Sequence, residues 1–315
     1  MVITAQHKIE TLTIEQPDLE YYMTQYLSMM EQKASSCAYH SKKQKPFDVV
    51  IVDSYKIDKV TEDRLKTITD YRVVIDDLAN RPHSCEMIID QTPIRETSDY
   101  LHLTQSPTKF LIGSEFTLLR AEFAAMRRKN VSRKPRLLNV LVVFGAFDQD
   151  GLILKTLNLL RIKRDLKHIQ FHIMLSSHSK HINDINSLAL DSKSRINLHI
   201  DTEKTADLMY EMDLAITAGG LTCLELACLG INSIILPAST IQAAVADELS
   251  KHCNFQVIPN WRNEFENSLL KCVDKSMASI SNGEVRKFHP KIDGLGTQRV
   301  AGMIFDCVQE IYPTE

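Results

Sequence analysis

Continuous apolar runs that end in a polar or small residue recur along the chain, separated by segments with helical spacing. The runs are DVVIVD (48–53), YRVVID (71–76), EMIID (86–90), KFLIG (109–113), LNVLVVFG (138–145), IQFHIML (169–175), INLHI (196–200), DLAIT (213–217), NSIIL (232–236) and FQVI (255–258). Runs apolar on both faces suit strands of a parallel sheet covered on both sides. Helical spacing predicts helices over 59–68, 151–160, 204–211, 222–229 and 241–251. Near the end, Val300, Met303, Ile304 and Cys307 share one face of a C-terminal amphipathic helix. Alternating strands and helices predict an α/β fold.

The basic, glycine-free stretch RRKNVSRKPR (127–136), closed by a proline and flanked by apolar periodicity, reads as a solvated linker. It predicts a first domain over 1–126 and a second over 137–315. The first 45 residues differ from the rest. IETLTI reads as a strand, and after Pro17 the residues Leu19, Tyr22, Met23, Tyr26, Leu27 and Met30 fall on one helical face.

Composition narrows the classes. The 315 residues are 44% apolar and 24% charged, which rules out disorder and a small disulfide scaffold. A net charge of −3 gives no overall positive field to hold a nucleic acid. The start lacks a basic segment followed by an apolar one, and no run of 18 apolar residues occurs, so a cytoplasmic protein without a membrane span is expected. Seven cysteines, an odd number without CxxC spacing, suit reduced thiols. His178 and His181 have a ligand-like spacing, and His168, His172 and His199 lie near, but no nearby carboxylate completes a set, and no metal site is expected. There are 10 glycines, the first at Gly113, so a glycine-dependent phosphate loop is excluded from the first third of the chain.

The segment DLAITAGGLTCLELACLGINSIILPASTIQAAVADEL (213–249) carries the clearest chemistry. A strand ends at Thr217, Gly219 and Gly220 form a turn, and a helix begins at Leu221 and Thr222. Backbone N–H groups and the positive dipole end at such a start cradle a diphosphate. Glu225, one turn on, can accept both hydroxyls of a ribose. Gln242, in a second loop at a strand end, is a candidate for the nucleotide or the sugar. The structural alternative is that Glu225 stabilises the helix start and Gln242 caps a helix. The cysteines on this helix, Cys223 and Cys228, read as small core residues.

This block resembles the nucleotide-binding half of GT-B enzymes, particularly MurG-like glycosyltransferases. Further segments, VVIVDSY (49–55), VVIDDLANRPHSCEMIIDQT (73–92), FLIGSEFTLLRAEF (110–123), VLVVFGAFDQDG (140–151) and KIDGLGTQRV (291–300), resemble in order and spacing the motifs of the pseudaminic acid pathway hydrolase family. The resemblance spans roughly residues 48 to 310. It implies two Rossmann-like domains in a GT-B-like fold. It also implies hydrolysis at an anomeric carbon, with water displacing UDP from UDP-2,4-diacetamido-2,4,6-trideoxy-β-L-altropyranose with inversion. The ligand implied is that UDP-linked diacetamido-trideoxyhexose, with no cofactor and no metal.

The family's base is a histidine in a GxGH loop, and neither His7 nor His40 matches it. The first domain is therefore expected to lack its first βα unit, on the order of 50 residues, and the catalytic residue is not carried over. Asp53, Tyr55 and Asp77 are the remaining catalytic candidates, at the carboxyl ends of the first two runs. Arg81 and His83 could meet a diphosphate, or Asp76 and Arg81 form a surface pair in a capped turn. Other departures are Ser54 within the Asp-His-Tyr motif, Ala146 in the GGxD loop that ends at Asp148, and Ile241 before Gln242. Two alternatives stay open: a MurG-like glycosyltransferase using a UDP-sugar, and a non-catalytic UDP-sugar-binding protein.

Overall fold

A computed structural model describes residues 45–311 apart from 46, 106, 129–136, 164–168 and 191–194. The strand and helix expected within the first 44 residues lie outside the described residues, as do His7, His40 and His168. The chain divides into two compact units. One is formed by the described residues up to Phe116 with those from Gln298 onward, the other by Thr117–Thr297.

Among the described residues of the first unit, four parallel strands pair in chain order: β1 (Val50–Asp53), β2 (Arg72–Ile75), β3 (Met87–Asp90) and β4 (Lys109–Ile112). The register sets Asp53 opposite Ile75 and Asp90 opposite Ile112. Helix α1 (Lys59–Arg64) starts at Asp58, whose side chain accepts from Thr61 N–H at 2.8 Å. Val52, Leu65, Ile68, Val74, Ile88 and Tyr100 form the core of this sheet.

The second unit holds six parallel strands in the order β10-β9-β8-β5-β6-β7. They are β5 (Leu138–Val143), β6 (Ile169–Leu175), β7 (Ile196–Ile200), β8 (Leu214–Thr217), β9 (Asn232–Ile235) and β10 (Phe255–Val257). From β5 the chain moves outward to β7, then returns to β8 on the other side of β5. That reversal is the doubly wound switch point, where the carboxyl ends of β5 and β8 leave a crevice. The helices, in chain order, are α2 (Ala121–Arg127), α3 (Leu152–Lys163), α4 (Ile182–Leu190), α5 (Thr205–Tyr210), α6 (Leu221–Leu229), α7 (Thr240–Ser250) and α8 (Trp261–Ser281). Helix α9 (Gly296–Ile311) follows.

All ten apolar runs became strands. The expected boundary at 127–136 differs from the observed one at Phe116–Thr117. The physical reason is that α2 packs within the second unit: Arg127 donates to the carbonyls of Cys228, Ile292 and His289 at 2.9–3.0 Å. Residues 129–136 of the expected linker lie outside the described residues. The C-terminal helix, expected as part of the second domain, belongs from Gln298 to the first unit. There Lys109 Nζ donates to Cys307 Sγ at 3.5 Å and Arg299 Nη1 to Glu115 O at 3.0 Å. Val300 and Cys307 are buried, as the helical face requires. Among the described residues no helix is long and apolar enough to cross a membrane.

Candidate functional site

At the carboxyl end of β8 the chain passes through Ala218 and Gly219 to Gly220, the residue before α6. Gly220 is exposed, offers no side-chain cap, and a Cβ built on it would touch nothing within 4 Å. The first N–H groups of a helix have no intrahelical partner, so those of Leu221 and Thr222 face an open surface bearing the positive end of the dipole. Leu221 is half exposed and Thr222 partly so.

Gly219 has a different reason to be glycine. A Cβ there would lie 2.7 Å from Gln242 Cβ and 3.0 Å from its carbonyl oxygen, so Gly219 makes room for the first turn of α7 rather than for a ligand. That turn is capped by Ser239, whose hydroxyl accepts from Gln242 N–H at 3.2 Å. The Gln242 side-chain oxygen accepts from Ala238 N–H at 2.8 Å. Trp261 Nε1 donates to Pro237 O at 2.8 Å and pins the same loop from beneath. Gln242 therefore holds the β9–α7 loop in shape.

Glu225 points back along α6 toward its start, the direction helical side chains take. Its side chain is 13% exposed, and Arg120 Nη2 lies 3.9 Å from Oε1. Burial pushes its carboxyl up to about 7, against the pull of Arg120 and with a further push from Glu122.

At the neighbouring end of β5, Asp148 is buried and accepts from Leu152 N–H at 2.8 Å and Ile153 N–H at 3.1 Å, which caps α3. The aspartate of the GGxD loop thus serves the fold. Cys223 is buried and donates to Ala218 O at 3.0 Å, and burial raises its thiol, in keeping with a core residue.

In the first unit, Tyr55 and Asp77 lie two residues beyond the paired Asp53 and Ile75, and the register brings them together. Tyr55 hydroxyl contacts both Asp77 oxygens, at 2.9 and 3.0 Å. Burial first and this bond second push the phenol up to about 12, with Asp53 and Asp76 adding like charge. Asp53 is exposed at the strand end.

Below this pair lies a buried polar network that sequence reasoning placed at the surface. Asp76 Oδ2 accepts from Leu78 N–H (3.2 Å), Ala79 N–H (2.8 Å) and Tyr100 hydroxyl (2.9 Å), and Tyr100 also contacts Asp90 Oδ2 at 2.8 Å. Arg95 closes the ring: Nη2 donates to Leu78 O at 2.9 Å, and Nε lies 3.6 Å from Asp90 Oδ2. Arg81 Nη2 donates to Ser54 O at 3.1 Å and lies 3.3 Å from Asp76 Oδ1. His83 is fully buried, with Nδ1 2.9 Å from Glu62 Oε1 and Nε2 3.7 Å from Asp76 Oδ1. Asp76 and Arg81 do pair, but Asp76 is buried, so the surface pair is a core one, and His83 is not available to a diphosphate. Glu62, which also accepts from Ser84 N–H at 2.7 Å, was missed because its helix neighbours Asp63 and Arg64 make it read as a solvated charge.

Of the candidate histidines, His172 and His199 bond to each other across β6 and β7, Nδ1 to Nε2 at 3.1 Å. Their ring centroids are 5.3 Å apart with an 8° interplanar angle, so the rings meet nearly edge to edge in one plane, the arrangement of an N–H···N bond. Burial pushes His172 down to about 4 and lowers His199. Among the described residues no three histidine, cysteine, aspartate or glutamate side chains gather to hold a metal ion.

Comparison with known proteins bears out the sequence resemblance. The chain is 26% identical over 181 residues to the UDP-2,4-diacetamido-2,4,6-trideoxy-beta-L-altropyranose hydrolase of Campylobacter jejuni, covering 57% of this chain and 62% of that protein. It is 24% identical over 212 residues to the spore coat polysaccharide biosynthesis protein SpsG of Bacillus subtilis, covering 65% of this chain and 61% of that protein. These matches span less than two thirds of either relative. No family model matches the chain. Among solved structures, MurG of Acinetobacter baumannii aligns with TM-score 0.52 at 13% identity, covering 92% of this chain and 79% of that one. The UDP-GlcNAc 2-epimerase of Neisseria meningitidis aligns with TM-score 0.60 at 12% identity, covering 96% and 86%. The fold is the GT-B-like pair of parallel-sheet domains that the motifs implied.

Proposed function

We propose that the chain handles a UDP-sugar, holding UDP on the second unit at the start of α6. The observation that carries this reading is the juxtaposition there of an exposed, uncapped helix start at Gly220 and the buried carboxylate of Glu225. The N–H groups of Leu221 and Thr222 suit a diphosphate, and Glu225 suits the two hydroxyls of a ribose. Gly219 and Gln242 shape the floor and rim of that site. Two names support the nucleotide: the related C. jejuni protein is named for a UDP-linked sugar, and the N. meningitidis epimerase structure holds UDP-GlcNAc.

The finer reading follows the hydrolase: release of UDP from UDP-2,4-diacetamido-2,4,6-trideoxy-β-L-altropyranose, with a UDP-linked diacetamido-trideoxyhexose as ligand. No cofactor enters this reading. It needs a base for the attacking water. Asp77 is bound on both oxygens by Tyr55, and Tyr55 carries a phenol raised to about 12, which leaves Asp53 as the unencumbered carboxylate of the three candidates. That encumbrance favours a second reading, a protein that binds the UDP-sugar without turning it over.

Following UDP release from the altropyranose substrate by 31P NMR, alongside a UDP titration, separates the readings. UDP binding with turnover supports the hydrolase, and UDP binding without release supports the binding protein. Transfer to an added acceptor without hydrolysis would instead point to a glycosyltransferase, and absence of UDP binding overturns all three.

A further inference from the structure

Arg120 precedes the seven-residue helix α2 and Arg127 is its last residue, and they are held very differently. Arg127 is tied to three backbone carbonyls and stacks 5.0 Å over the Phe288 ring, so its guanidinium is committed to the fold. Arg120, at the other end, is 51% exposed. Its Nη2 lies 3.1 Å from Glu122 Oε1 and 3.9 Å from Glu225 Oε1, its Nη1 is 3.5 Å from Glu203 O, and its guanidinium sits 5.6 Å from the Phe123 ring centre. None of these fixes it as three short carbonyl bonds fix Arg127. Glu122 has an independent partner as well, accepting from Ala206 N–H at 3.3 Å at the start of α5.

We infer that Arg120 supplies the cation that binds the diphosphate in the nucleotide site. This rests on the reading of that site above and gives a role to a residue of the FLIGSEFTLLRAEF segment that was not among the nucleotide-site candidates. The physical case is a balance of charge. A helix start contributes about half an elementary charge, whereas a nucleoside diphosphate brings two or more negative charges next to Glu225. Hydroxyls donated by a ribose leave the Glu225 charge in place, so Arg120 stays beside it, and with Glu122 also bound by the Ala206 N–H the half-exposed guanidinium has donors left for a phosphate. The guanidinium, already within 4 Å of the carboxylate that holds the ribose, meets the phosphates, which it matches with paired donors.

Titration calorimetry with UDP and with uridine, on the intact chain and on Arg120→Gln and Arg120→Lys, tests this. In Arg120→Gln, UDP affinity falls on the order of 10- to 100-fold, the range of a bond to a charged group, while uridine affinity falls far less. Arg120→Lys recovers part of the loss, because it keeps the charge without the paired donors, and it serves in place of the glutamine variant should that fail to fold. UDP binding as tight in both variants as in the unchanged chain overturns the inference, as does equal loss of UDP and uridine. An unchanged chain that binds neither ligand overturns the nucleotide reading itself, and Arg120's role with it.

Discussion

Glu225 is the residue whose environment makes the sharpest demand. Its carboxyl is raised from an ordinary 4.5 to about 7 by burial, a shift that disfavours the charged form by roughly 3 kcal/mol. A carboxyl raised in the folded state contributes stability that is whole below the unfolded value and lost as pH rises through the folded one. The melting temperature of the ligand-free chain should therefore fall between about pH 4.5 and 7, and Glu225→Gln should flatten that fall in a thermal scan. An unaltered slope in the variant would place the effect elsewhere. The two glycines of the turn should separate in the same measurement. Gly219→Ala pushes a Cβ against Gln242 and should cost about 1–3 kcal/mol as overpacking, whereas Gly220→Ala, with open space around it, should leave stability nearly unchanged. Tyr55 offers a third test at this scale. Asp77→Asn removes a charged acceptor, and the phenol, about 12 in the parent, should move toward 10 by 13C NMR of labelled tyrosine. No movement would leave desolvation and the neighbouring Asp53 and Asp76 as the cause.

At the scale of elements, the strand ends of the first unit are held by a ring of buried polar groups rather than by apolar packing. Tyr100 joins Asp76 at the end of β2 to Asp90 at the end of β3. Tyr100→Phe removes a buried hydroxyl that both carboxylates contact, while Asp76 keeps the Leu78 and Ala79 N–H groups and Asp90 that of Thr92, and should cost about 1–3 kcal/mol, read as a drop in denaturation midpoint with an unchanged slope. Legibility in the sequence also divides by element. Strands of parallel sheets are apolar on both faces, so all ten stood out as runs. Helix α8 was not singled out because its 21 residues bury only Trp261, Leu269, Val273 and Ser276 completely, too sparse a stripe to mark a face. The Tyr55–Asp77 pair was legible in principle, since a constant parallel register of 22 residues links Asp53 to Ile75 and continues past the strand ends. Arg120 beside Glu225 was not, because nothing in local pattern joins residues on α2's leading edge to a helix so far along the chain. His83 was misplaced and Glu62 missed for a related reason: a polar or charged side chain reads as exposed until its buried partner is known.

Across the whole molecule, the reversal of strand order between β5 and β8 explains why the features of the proposed nucleotide site gather where they do. Gly220 and the start of α6 follow β8, and Asp148 caps the helix that follows β5, so both loops open at the same switch point. The motif resemblance pointed there from sequence alone because glycine turns and helix starts are local features, whereas the division into units depended on where α2 and α9 pack. The central claim is that this crevice binds UDP, and isothermal titration of the chain with UDP tests it most directly. The account predicts one site per chain, a melting temperature that rises with UDP, by about 2.7 kcal/mol of added stability at a hundredfold excess over Kd, and loss of most of the affinity in Glu225→Ala. Absence of binding, or binding that Glu225→Ala leaves untouched, would contradict it.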